Sequence, residues 1–118
     1  MGNTFRQWGS FYMAKNKPYY IYVLYCADDS LYCGFTDNVQ RRFDQHQAYK
    51  GAKYTRVKSR HPLRLIYHQK FNSKNAALSA EYHFKHQPRW KKDRFLKAHG
   101  IDVAHYFALN HQSAKRKG

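Results

Sequence analysis

The chain has 118 residues, room for one domain around one core, and its 22 Lys and Arg against 7 Asp and Glu give a formal net charge of +15. That balance fits a polyanionic partner and argues against a small neutral substrate, while 11 Tyr, 8 Phe and 2 Trp argue against a disordered basic tail. Two cysteines, Cys26 and Cys33, form neither a disulfide framework nor a zinc pattern, which points to the cytoplasm. The longest apolar run, "YYIYVLYC", is too short to cross a bilayer, and the N-terminus lacks the apolar core of a signal peptide.

Residues 1–17 are polar with scattered aromatics and no steady period, and read as an arm outside the core. Residues 19–27 read as a strand, Asp28-Asp29-Ser30 as a turn, and 31–36 as the returning strand of a hairpin. An odd number of loop residues puts strand residues of equal parity on one side. Tyr20, Tyr22, Tyr32 and Gly34 then share one face, and Ile21, Val23, Leu31, Cys33 and Phe35 the other. The odd face is the expected core. The even face, rich in tyrosine and carrying a glycine, is the expected surface for close approach of a ligand.

Thr36 and Asp37 are good helix caps, and a helix is expected from about 38 to 49 with Val39 and Phe43 toward the core. Arg42, His46 and Tyr49, at spacings of four and three, line one side of it. Arg42 falls near the helix start, where positive charge and free backbone N–H groups together can hold a phosphate; the alternative reading of this helix side is a solvated basic face. "YKGAKYTRVKSRHP" reads as a basic loop, "LRLIYHQKF" as a third strand, and Asn72 or Ser73 as the cap of a helix reaching about 87. Short helices at 89–98 and 101–109 close a domain spanning 18–110, followed by a basic tail, 111–118.

Glu81 is the only glutamate, and it sits inside the apolar stripe formed by Ala77, Leu78 and Phe84. A buried lone carboxylate is costly unless a cation or donors meet it. Two readings are open: a structural ion pair with a core arginine such as Arg42, or a ligand for hydrated Mg²⁺, which commonly takes one or two carboxylates. His83 and His86, three apart, fit an ordinary helix surface better than a zinc site.

The hairpin "YIY" (20–22), then "YCG" (32–34), Arg42, His46 and a later helical Glu81 resemble the GIY-YIG nuclease superfamily over about residues 19–90. The string "LYCGFTDNVQRRFDQH…KGAKYT…ALSAEYHFKHQP" is similar to its small single-domain bacterial branch, and also to the nuclease domain of the Slx-type structure-specific endonuclease. Tyr20 stands where the first motif usually has glycine, and Cys33 where the second has an aliphatic residue. The resemblance implies an α+β fold, a small three-stranded antiparallel sheet flanked by helices. It implies an endonuclease that uses Mg²⁺ (or Mn²⁺) to hydrolyse phosphodiester bonds in DNA, branched or damaged DNA included. Catalysis would fall to Tyr22, Tyr32, Arg42, His46 and Glu81, with Glu81 on the metal. Gly34, Arg41, Lys53, Tyr54 and Thr55 would contact substrate, Gly34 by clearing space for the scissile phosphate. A tyrosine would deprotonate the attacking water, its pKa lowered by nearby cations. The expected partner is nucleic acid, DNA first, with no membrane and no obligate protein partner. The rival reading is a non-catalytic nucleic-acid-binding protein on the same fold.

Overall fold

The computed structural model describes residues 17–117, with side chains to residue 112. Three strands, β1 (Tyr19–Tyr25), β2 (Leu31–Thr36) and β3 (Arg64–Phe71), form one antiparallel sheet in the order β2-β1-β3. Helix α1 (Val39–Gln47) follows the hairpin, and two single-turn 3₁₀ helices, Tyr54–Arg56 and Lys58–Arg60, interrupt the basic loop. Helices α2 (Lys74–Lys85), α3 (Arg89–Ala98) and α4 (Val103–Lys117) complete the described chain, an α+β arrangement as expected. The arm expected over 1–17 lies outside the described residues except for Lys17. No helix among the described residues is long and apolar enough to cross a membrane.

Strand β1 is central and pairs on both sides, with Tyr22 opposite Gly34 of β2 and His68 of β3. The register keeps equal parity on one face, as expected, but both faces are buried, which corrects the single-core expectation. Ile21, Val23, Tyr25 and Cys33 pack on the odd face under Ala77 and Phe84 of α2 and Leu96 of α3. On the even face Tyr22, Leu24 and Cys26 pack with Leu63 beneath Val39 and Phe43 of α1 and Tyr54 of the loop. Tyrosine hides the second core from a pattern reader, because its ring is as good a core element as phenylalanine while its hydroxyl scores as polar.

Helix α1 starts where Asn38 caps it by accepting from the Arg41 N–H at 3.0 Å. It ends two residues earlier than the periodicity suggests. Tyr49 N–H bonds the His46 carbonyl and Lys50 N–H the Gln45 carbonyl, a Schellman closure with Tyr49 at φ 62°, in the left-handed region where glycine is usual. Tyr49 therefore leaves the helix face shared by Arg42 and His46 and stacks on His61, ring centroids 4.0 Å apart.

The hairpin turn is fastened from a distance. Asp29, at φ 66°, takes hydrogen bonds on its carboxylate from the Tyr25 hydroxyl at 3.0 Å and the Asn110 amide at 3.1 Å, and pairs with His111 at 2.7 Å. Arg89 donates to its backbone carbonyl at 2.6 Å. Helix α4 thus docks on the first turn of the sheet and runs on through Lys117, where a shorter helix and a tail were expected.

Candidate active site

Tyr22 and His46 meet beneath α1 on the even face of the sheet. Tyr22, 1% exposed, projects from the central strand, and His46, fully buried, comes down from the last turn of α1, leaving Oη and Nε2 2.6 Å apart. His46 Nδ1 lies 2.6 Å from Thr55 Oγ1, and the Thr55 hydroxyl donates to the Ala52 carbonyl at 3.1 Å. With its own hydrogen committed there, Thr55 accepts from Nδ1–H. Nε2 is then the bare nitrogen that accepts from the Tyr22 hydroxyl. A directed chain of three hydrogen bonds runs from phenol to imidazole to hydroxyl to backbone.

Two glycines make this chain possible. A Cβ on Gly34 would lie 2.3 Å from Tyr22 Oη, and a Cβ on Gly51 would lie 2.3 Å from His46 Nδ1. Gly34 was expected to clear space for a substrate phosphate; that space is filled by the Tyr22 ring across the strand pair. We expect Gly34→Ala to cost about 2–3 kcal/mol, the order of an overpacked core position, because a buried phenol bonded at its tip has nowhere to swing. Urea denaturation checks this, and an unchanged midpoint would show the site to be looser than drawn.

Electrostatics set both groups at rest in their neutral forms. Burial pushes the Tyr22 phenol above its ordinary value, and the hydrogen bond and charge of Arg42 only partly oppose it. The expectation of a cation-lowered tyrosine is therefore not met in the free protein. Burial, then the charges of Arg42 and His61, holds His46 down at about 4. The unfolded chain takes up this proton near 6.5 and the native protein only near 4, so unfolding binds a proton between those values and stability falls as pH is lowered through that window. The loss expected is about 3 kcal/mol. Denaturation midpoints measured from pH 7 to 4 should show it in the wild type and lack it in His46→Gln; parallel curves would mean that His46 is not held neutral.

Around this pair stand the other residues singled out from the sequence. Tyr32, half-buried, has its ring centroid 6.3 Å from Tyr22 and 5.2 Å from His46, and its hydroxyl has no hydrogen-bond partner among the described residues. Tyr54 stacks on Tyr32 at 5.9 Å and carries the Arg60 guanidinium 3.7 Å from its ring centre, so it is a wall of the site. Arg42 donates to the Gln45 side chain at 3.0 Å, and no carboxylate among the described residues pairs with the rest of its guanidinium fork. Lys53 and Arg41 are exposed. Thr55, expected to touch substrate, is fully buried and holds His46 instead.

Glu81 lies on α2, one turn before Lys85. Its side chain is 19% exposed and pairs with Lys85 at a loose 3.6 Å, and the Lys85 ammonium lies 5.6 Å from the Tyr32 ring centre. The ion pair with Arg42 entertained from the sequence does not form. Among the described residues no three His, Cys, Asp or Glu side chains gather to hold a metal. A single, loosely engaged carboxylate suits a cation that keeps most of its waters and takes the remaining oxygens from a phosphate, which is the habit of Mg²⁺.

Residues 18–93 match the sequence profile of the GIY-YIG catalytic domain. The chain belongs to the GIY-YIG family. That family is a nuclease superfamily, and the two tripeptides that name it here supply the facing pair Tyr22 and Gly34. A UPF0213 protein from Limosilactobacillus reuteri is 68% identical over 91 residues, covering 77% of this chain and 94% of that one. Another from Lactiplantibacillus plantarum is 61% identical over 87 residues, covering 74% and 86%. A solution NMR structure of a protein from E. faecalis, 40% identical, superposes with a TM-score of 0.52 over 71% of this GIY-YIG chain and 88% of its own. Gly51, Thr55 and His61, whose Nε2 lies 2.7 Å from the Thr55 carbonyl, form a shell around His46 in this GIY-YIG domain, and the sequence assigned them no such role. A glycine and a threonine four apart in a loop soon after a histidine was the one available signal.

Proposed function

We propose that this protein is a divalent-metal-dependent endonuclease that hydrolyses phosphodiester bonds in DNA. The observation that carries the proposal is the directed chain Tyr22–His46–Thr55 beside an arginine that no carboxylate among the described residues claims. Arg42 holds the scissile phosphate and neutralises charge as it grows on the phosphoryl oxygens. Tyr22 takes a proton from the attacking water as it passes its own to His46 Nε2, while Thr55 fixes the ring and accepts from Nδ1–H. Neither a free phenolate nor a strongly basic imidazole is then required at rest. Part of the depression of His46 comes from the Arg42 charge, so a phosphate bound to Arg42 makes His46 more basic when the base is needed. Tyr32 offers its unpartnered hydroxyl to the water or the phosphate. Glu81 would hold Mg²⁺ (or Mn²⁺), which when bound acts as a Lewis acid toward the leaving oxygen.

The test is cleavage of a panel of labelled linear, flapped and branched DNAs by the purified protein, with Mg²⁺ and with a chelator, across pH 5 to 9. Cleavage is expected only with the metal. Its rate should be nearly level with pH around neutrality, because His46 is already unprotonated; a tenfold rise per pH unit would mean that a phenol must ionise first. Binding without cleavage in any condition would leave the non-catalytic reading in possession.

A further inference from the structure

We infer that the cleft beside Arg42 is a binding site for the backbone phosphate next to the scissile one, formed by Lys17, Arg41 and Lys74. This rests on the nuclease reading for the identity of the neighbouring site, and it adds the direction in which the strand leaves it. The cleft, about 350 Å³, is lined by Lys17, Tyr19, Asp37, Arg41, Arg42 and Lys74 among others. Arg42 lines this cleft and stands one helical turn before His46 on α1, so the cleft adjoins the catalytic pair. Four cations face one acid across it.

Helix geometry separates the two arginines. Consecutive residues on a helix point about 100° apart, so Arg41 and Arg42 cannot both close on one phosphate but fan toward successive positions along a strand. The chain also orders the cations before any strand arrives. Asp37 accepts Arg41 on Oδ1 and Lys17 on Oδ2, each at 2.5 Å, and so holds two long side chains at the rim. Lys74, the first residue of α2 and exposed, has no ion-pair partner among the described residues and closes the far side. A phosphodiester entering here meets donors already in place, with less side-chain entropy left to lose than free lysines would demand. The chemistry is that of a singly charged phosphate on a sugar backbone, read without regard to base.

The contact exists both in the bound state and in the transition state, so its loss raises KM and leaves kcat nearly unchanged. Two measurements test it. Binding of a short labelled DNA duplex as a function of salt should give a slope smaller by about 0.9 for Arg41→Ala/Lys74→Ala, the value for one phosphate no longer neutralised, while the control Lys91→Ala/Lys97→Ala on α3 stays close to wild type. Cleavage of strands carrying a single neutral methylphosphonate should show suppression at the linkage beside the cut for the wild type, and little further suppression for the double variant. Equal slopes in the two double variants would overturn the site, as would a double variant that loses kcat with KM intact. A protein that shows the slope difference but cuts nothing would keep this phosphate site and sink the nuclease reading. One that cuts DNA with equal slopes and equal suppression would do the reverse.

Discussion

Glu81→Ala is expected to fold, to bind DNA, and to cleave at least about a thousandfold more slowly than the wild type, since a metal at the leaving oxygen contributes several kcal/mol to the transition state. The fold should survive because the one ion pair lost among the described residues is Lys85–Glu81, a loose contact one helical turn apart whose lysine end is exposed, worth under about 1 kcal/mol. Ala80 and Phe84, its neighbours on α2, stay packed on the odd face of the sheet. DNA affinity should hold or rise slightly, as a negative charge leaves a basic surface. Thermal denaturation, salt-dependent binding and single-turnover cleavage separate these effects. A variant that unfolds, or that cuts at the wild-type rate, removes Glu81 from the metal.

Tyr22→Phe should slow the cleavage step by roughly two to four orders of magnitude, with binding nearly unchanged. Phenylalanine keeps the ring in the niche opposite Gly34 and deletes only the oxygen that lies 2.6 Å from His46 Nε2. The proton path is cut at its first link while Arg42 and the surrounding surface remain. Tyr32→Phe is the natural control, because it removes the other hydroxyl facing the same site and leaves the chain through His46 whole. A normal Tyr22→Phe beside a dead Tyr32→Phe would move the proton transfer to Tyr32. If both variants cleave normally, His46 must take the water's proton without a tyrosine between them.

Much of this site could be read before any coordinates. Tyr22 and Gly34 share a face because strand side chains alternate and the turn holds an odd number of residues, and Arg42 and His46 share a helix side because they are four apart. Such relations are local and survive any packing. What covers the even face is not local. It depends on the path of the loop after α1, which brings Gly51, Thr55 and His61 around His46 through close approaches and backbone contacts that have no period. The helix ends fail for a related reason. Tyr49 takes a left-handed conformation usually left to glycine, so α1 stops without its usual marker. The tail "SAKRKG" looked like an exit segment because of its charge, although Ala, Lys and Arg are all good helix formers, and α4 continues through it to Lys117.

The fastening of the first hairpin by α4 has a consequence for synthesis. Asp29 reaches His111 across 82 positions of the chain and Asn110 across 81. The turn that carries it is among the first pieces of the domain to leave the ribosome, and its partners are among the last. Until they emerge, the Asp29 carboxylate and the Cys26 carbonyl have only nearer groups and water to satisfy them. The nascent hairpin thus closes first through bonds within its own turn, and its fastening to α4 is the last of its contacts to become available.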